Sequence, residues 1–251
     1  MTQEERLIAI EEQIKNHGKV TIEEICQAYE ISYDSARRDL VKLSERPGIL
    51  RIRGGAILDE KTVSLSFHQR SGTDPIKLQL AKFAASLVEE NDIVFLDAGT
   101  TCTALAQNLS VKSTVITNSI ESLSALSHKP NVRKSVLGGA FDDFSHAILG
   151  DMTIEQIKKY QASKAFIGIG AISESGITTD LETDANLKLA MANQSKQVIC
   201  VVDSTKFNTQ LMYQSCTWAD IDIVVTNQRP PENIVKQIEL HGVELIEVFF
   251  E

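Results

Sequence analysis

Beyond residue 90 the chain alternates short apolar runs with amphipathic stretches, and this alternation restricts the possible folds more than any other feature. The runs Asp92–Asp97, Ser113–Thr117, Lys134–Leu137, Ala165–Ile169, Val198–Asp203, Ile221–Thr226 and Val243–Phe249 read as strands. Helical stretches lie among them, near residues 102–109, 119–127, 153–160, 184–194 and 231–241. Strands alternating with helices form a mostly parallel sheet covered by those helices. A further amphipathic helix precedes them, with Ile76, Leu80, Phe83, Ala84, Leu87 and Val88 on one face. Asp74 is its N-cap and Pro75 its first residue, after a turn that begins at Ser71.

In a parallel sheet of this kind, ligands sit beyond the carboxyl ends of the strands. Those ends are polar or glycine-rich here. The first is Asp97-Ala98-Gly99-Thr100-Thr101. Its glycine lets backbone approach a ligand, and its threonine hydroxyls and following helix N-terminus favour a phosphate. The same residues also suit an ordinary strand–helix turn. Next come Thr117-Asn118-Ser119, equally readable as a helix cap, then Gly138-Gly139, then Gly168-Ile169-Gly170. The fifth is Asp203-Ser204-Thr205-Lys206, where Lys206 either neutralises a phosphate or forms a surface ion pair. Five such ends on one edge predict a pocket. Lys188 belongs either to that pocket or to an i,i+4 pair with Asp184.

The first sixty residues read differently. Leu7, Ile10 and Ile14 make one helical face, closed by Gly18. Thr21 and Glu24 form a capping box for a second helix carrying Ile22, Ile25, Cys26 and Tyr29. After the turn Tyr29-Glu30-Ile31-Ser32, Ser32 caps a third helix that buries Ala36, Leu40 and Leu43. This is helix-turn-helix spacing. The third helix is placed to enter a DNA major groove, with Tyr33, Asp34 and Arg37 nearest the base edges and Ser35 beside them. Arg38 and Lys42 are placed for phosphates. Beyond Pro47-Gly48, Ile49 to Ile57 alternates apolar and basic residues and then turns at Gly54-Gly55, which reads as a hairpin wing. Arg51 and Arg53 are expected on one side of its strand, facing phosphate or minor groove.

Charge supports that division. The chain carries a net charge of -9, yet residues 33–58 hold six cationic side chains against three carboxylates. A basic stretch on an acidic protein suits focused, salt-dependent DNA binding. No stretch approaches the ~18 apolar residues that span a bilayer, and the N-terminus is polar and acidic. A cytoplasmic protein without membrane contact is expected. The four cysteines include no Cys-x-x-Cys pair and the five histidines no His-x-x-x-His, so buried reduced thiols and no metal centre are expected. No cofactor is called for.

The run Ser32-Tyr33-Asp34-Ser35-Ala36-Arg37-Arg38-Asp39-Leu40, followed by Leu43 and then Arg51-x-Arg53-Gly54-Gly55-Ala56, resembles the signature of the DeoR family of bacterial sugar-metabolism regulators. That family has Thr-Ile where Ser35-Ala36 stands, and usually His where Arg53 stands. Asp97-x-Gly99-Thr100-Thr101, Thr117-Asn118-Ser119, Gly138-Gly139 and Asp203-x-x-Lys206-Phe207 resemble its sensor domain, which is similar to ribose-5-phosphate isomerase. The resemblance implies a winged helix-turn-helix over 1–58, a linker over 59–74 and an α/β sensor over 75–251. It implies a regulator, expected to be a repressor, that binds operator DNA as a homo-oligomer and responds to a phosphorylated sugar. Thr100, Thr101 and Lys206 would hold the phosphate. Asp97, Asn118 and Asp203 would meet hydroxyls or orient Lys206. The rival is a sugar-phosphate isomerase with an appended DNA-binding domain. Those isomerases need a carboxylate base, and counting back from Lys206 without gaps puts Lys188 at its position. Their other acidic residues fall where Gly168-Ile169-Gly170-Ala171 stands, so no catalytic residue is expected. The segment 140–146, with Phe141 and Phe144, is expected as a loop that is either a lid or an oligomer contact.

Overall fold

The computed structural model describes residues 2–44, 49–58, 67 and 74–249. The chain divides into two compact units, Met1–Gln69 and Arg70–Glu251. The expected linker 59–74, apart from Phe67 and Asp74, lies outside the described residues, as do Arg46 and the Pro47-Gly48 turn.

The first unit contains α1 (Gln3–His17), β1 (Lys19–Thr21), α2 (Ile22–Tyr29), α3 (Tyr33–Leu43), β2 (Ile49–Ile52) and β3 (Gly55–Leu58). Local chemistry sets the helix ends. Thr2 with Glu5 and Thr21 with Glu24 form reciprocal capping boxes, and Gly18 ends α1 in the left-handed region. Leu7, Ile10, Ile14, Ile25, Leu40 and Leu43 close one apolar core. The three strands form an antiparallel sheet in the order β1-β3-β2. The short β1 was not expected from the sequence. The wing also turns one residue earlier than expected, at Arg53-Gly54, because Ile52 already pairs with Gly55. Arg53 therefore projects from the turn and not from the strand that carries Arg51. Gly55 lies in β3 against β1, where a Cβ would collide with the Val20 carbonyl oxygen.

The second unit begins with α4 (Pro75–Ser86), capped by Asp74 as expected. Then follow β4 (Ile93–Leu96), α5 (Thr100–Asn108), β5 (Ser113–Thr117), α6 (Ile120–Leu126) and β6 (Val132–Val136). After these come β7 (Ala140–Asp142), β8 (Ala147–Leu149), α7 (Asp151–Ile157), β9 (Lys164–Gly168), β10 (Ala171–Ser173) and β11 (Gly176–Thr179). The rest is α8 (Glu182–Asn193), β12 (Val198–Val202), β13 (Tyr213–Cys216), β14 (Ile223–Thr226), α9 (Glu232–His241) and β15 (Glu244–Glu247).

Seven parallel strands form the main sheet in the order β15-β14-β12-β9-β4-β5-β6. They are the seven runs read from the alternation. Successive side chains point to opposite faces. Val94 and Leu96 thus pack with Leu80 of α4 and Leu105 of α5, while Phe95 and Ile116 pack with Leu187 and Met191 of α8. Segment 140–149 is a β7–β8 hairpin where a loop was expected, and β10-β11-β13 make a small antiparallel sheet that the sequence reading missed. The winding leaves β4 towards β5 and β6, then returns to β9 and runs outward to β15. The reversal falls between the adjacent strands β4 and β9, where doubly wound sheets hold ligands beyond the strand ends.

Candidate functional site

In the first unit, Ser32 accepts from the Ser35 N–H at 3.3 Å, and the two hydroxyls lie 3.0 Å apart. Both expected residues therefore shape the start of α3. Burial of Ala36, Leu40 and Leu43 leaves two adjacent rows exposed, Tyr33–Arg37–Val41 and Asp34–Arg38–Lys42. The Arg38 Nε donates to the Asp34 carbonyl at 3.2 Å, and the Lys42 ammonium donates to Gln3 Oε1 at 2.8 Å. Arg51 and Arg53 are exposed, and the Gly54 carbonyl accepts from the Ile22 N–H at 2.9 Å, tying the wing turn to the start of α2. Asp39 is one of the three carboxylates counted over residues 33–58. It is fully buried and accepts from Arg6 Nε at 2.7 Å and Gln3 Nε2 at 2.8 Å. That buried pairing leaves the exposed face of α3 more basic than its composition.

In the second unit, the expected pocket residues other than Lys188, which lies on α8, stand at or just after the ends of strands of one parallel sheet and so lie along its carboxyl edge. At the reversal, Asp97 is fully buried and accepts from the Gly168 N–H at 3.0 Å, across from β4 to β9. The Lys188 ammonium donates to the same Asp97 oxygen and lies 3.1 Å from Asp184. Asp184 in turn accepts from the Thr179 hydroxyl at 2.6 Å. Lys188 thus joins more than an i,i+4 pair: it links two carboxylates at the centre of the fold. Burial pushes the Asp97 carboxyl up, against the pull of Lys188. Burial works to lower the Lys188 pKa, but Asp184 and Asp97 outweigh it and hold the ammonium above its ordinary range. Gly168 borders this cluster, and a Cβ there would meet the Ala98 carbonyl at 2.9 Å and the Asp97 carboxylate at 3.3 Å.

Next to it, Gly99 begins α5 with φ 142°, a conformation only glycine holds without strain, and no side chain caps the helix. The Thr100 and Thr101 N–H groups have no hydrogen-bond partner among the described residues, an arrangement that suits an anion. Thr100 and Thr101 are half-buried beside them. After β5, Thr117 accepts from the Ser119 N–H at 3.1 Å, and Ser119 accepts from the Ser122 N–H at 3.1 Å. Both hydroxyls serve the turn into α6. Asn118 between them is fully buried, and neither amide atom has a hydrogen-bond partner among the described residues.

The remaining expected residues have internal contacts. Gly138 donates its N–H to Gln156 at 2.9 Å and accepts from Thr153 at 3.0 Å, and Gly139 is packed against Thr153. Gly170 packs against Leu211 and the Thr178 carbonyl. Asp203 has no ion pair with Lys206 among the described residues. Its Oδ1 accepts from the Thr205 N–H at 3.0 Å and from the Thr205 hydroxyl, capping the turn Ser204–Lys206. The half-buried Lys206 ammonium has no hydrogen bond or ion pair among the described residues. Sequence reading missed Thr179, the Asp97–Lys188 contact and the His146–Glu121 pair at 2.7 Å, which joins the β7–β8 hairpin to α6. Only the adjacency of Thr179 to Asp184 carried a local signal.

Two family models match the chain: a DeoR-like helix-turn-helix domain over residues 6–62 and the DeoR C terminal sensor domain over residues 74–228. The HTH-type transcriptional repressor GlcR of Bacillus subtilis is 40% identical over 98% of this chain and 96% of that protein. The glycerol-3-phosphate regulon repressor of Escherichia coli is 29% identical over 98% of this chain and 99% of that protein. The lactose phosphotransferase system repressor of Lactococcus lactis is 30% identical over 93% of this chain and 95% of that protein.

Proposed function

The chain belongs to the DeoR family, and on that premise we propose that it is a cytoplasmic repressor of a carbohydrate operon, released by a phosphorylated sugar. Residues 1–58 bind the operator, 59–74 form the linker and 75–251 hold the effector. The two exposed rows of α3 support the DNA assignment. Tyr33, Asp34 and Arg37 reach base edges, while Arg38, Lys42, Arg51 and Arg53 take phosphates. Two copies read paired half-sites, because one recognition helix alone discriminates little.

The observation that carries the effector reading is the uncapped N-terminus of α5 beside the β4–β9 reversal. The Thr100 and Thr101 N–H groups and hydroxyls, with the Lys206 ammonium, which has no partner among the described residues, suit one phosphate. Catalysis is not proposed. Asp97 and Asp184, the carboxylates at the reversal, are buried and bound to Lys188, which leaves neither as a free base. The test is thermal denaturation against a panel of sugar phosphates and their unphosphorylated parents. A ligand at 100 times its dissociation constant adds ~2.7 kcal/mol of stability. One phosphosugar is expected to raise the midpoint and release operator DNA, while its parent does neither. A flat response to the whole panel would sink the effector reading.

A further inference from the structure

Asn118 is a buried side chain left unsatisfied among the described residues. Its exposure is 0%, and both its amide nitrogen and its amide oxygen lack partners among the described residues. A buried donor and acceptor left unmade destabilise a protein, so such a group calls for an explanation. Its placement supplies one. Leu96 of β4 is in register with Thr117 of β5, so Asp97 and Asn118 come next, side by side. Phe95 and Ile116, two residues earlier, both pack on the α8 face. By strand alternation Asp97 and Asn118 extend that same face past the strand ends. Asn118 therefore stands next to Asp97, the residue that binds Lys188 in the Asp97–Lys188–Asp184 cluster, on the strand beside the one that leads into α5. The β7–β8 hairpin is joined to this residue, since the Ile148 N–H donates to the Asn118 carbonyl at 2.8 Å.

We infer that Asn118 is the specificity-determining contact of the effector site, reading a vicinal diol on the phosphorylated ligand and excluding phosphorylated carboxylic acids. This rests on the effector reading above. A primary amide offers one donor edge and one acceptor edge, and a vicinal diol presents a hydroxyl to each. A carboxylate satisfies only the donor edge and leaves the amide oxygen unmatched. It would also enter beside two buried carboxylates that share one ammonium, where like charge repels it. Phosphate is held by α5, so affinity for the anion and choice among anions reside in different residues.

The test measures binding of hexose 6-phosphates, pentose 5-phosphates, glycerol 3-phosphate, 3-phosphoglycerate and inorganic phosphate. Full-length wild type is compared with Asn118→Leu, which matches the amide in size, and with Asn118→Ala, should leucine disturb the packing. The wild type is expected to bind a diol-bearing phosphate at least tenfold more tightly than 3-phosphoglycerate or inorganic phosphate. In the variants that preference falls to the level of inorganic phosphate, while the ligand-free midpoint stays level or rises because no partner is lost. Unchanged selectivity in both variants overturns the inference and leaves the effector reading standing. A lowered ligand-free midpoint with selectivity retained also overturns it, by making the amide structural. Tightest binding of 3-phosphoglycerate by the wild type refutes the diol assignment. No response of the wild type to any phosphosugar removes the effector reading and this inference together.

Discussion

Asp39 has no exposed surface, and both its oxygens accept from α1, from Arg6 and from Gln3. Removing one partner of a buried pair leaves the other charge uncompensated, which costs about 3–5 kcal/mol. Asp39→Ala is therefore expected to lower unfolding stability on that scale, read from urea denaturation; a loss under 1 kcal/mol (the usual worth of an exposed pair) would show the pairing to be superficial. Lys188 binds two carboxylates, so Lys188→Met is expected to destabilise the second unit more severely. The sign of its pH dependence follows from Asp97, whose pKa burial raises above the ordinary 3.8. Above the folded value the buried charge carries its full penalty. As pH falls through that value the folded protein binds the proton before the unfolded chain does, so this group's contribution to stability rises. Without the ammonium the upward push is unopposed, so Lys188→Met is expected to regain stability on mild acidification more steeply than the wild type. Parallel pH profiles of the two unfolding midpoints would contradict this.

At the scale of elements, the helix ends were legible because they depend on neighbours three or four residues away. Thr21-x-x-Glu24, Ser32, Gly18 and Asp74-Pro75 all act as the sequence predicts. The wing was legible as a hairpin but not to the residue, because Gly54-Gly55 offers two turn positions and the pairing of Ile52 with Gly55 selects one. Strands β10, β11 and β13 escaped notice because each has four residues or fewer, and β13 draws its order from β11, distant in the chain. The placement of Arg51 on β2 and Arg37 on the open face of α3 separates their expected roles. Arg51→Ala should weaken all DNA sequences alike and reduce the slope of log affinity against log salt by about one. Arg37→Ala should cost about 1–3 kcal/mol against the operator and relax its selectivity. Binding titrations at several salt concentrations decide between these patterns, and an Arg37→Ala loss equal on operator and random DNA would move that residue to the phosphates.

Each unit of the whole molecule closes its own apolar core, Leu7 to Ala56 in the first and the layers on both faces of the seven-stranded sheet in the second. The two functions are accordingly expected to fail separately. Lys206→Ala should abolish the response to the effector while operator affinity persists, and Arg37→Ala should do the reverse. If either variant loses both functions with its circular dichroism intact, the division of labour is wrong. By itself the sequence determined the alternating strands and helices, the caps, the wing and the basic face, since each is written in side-chain period or in contacts a few residues long. Tertiary structure alone decided the strand order, the meeting of Asp97 with Lys188, 91 residues away, the burial of Asp39 and the isolation of the Asn118 amide. These depend on which distant residues share a face after packing, and a period of two or of 3.6 tells a residue which way it points but not what it will find there.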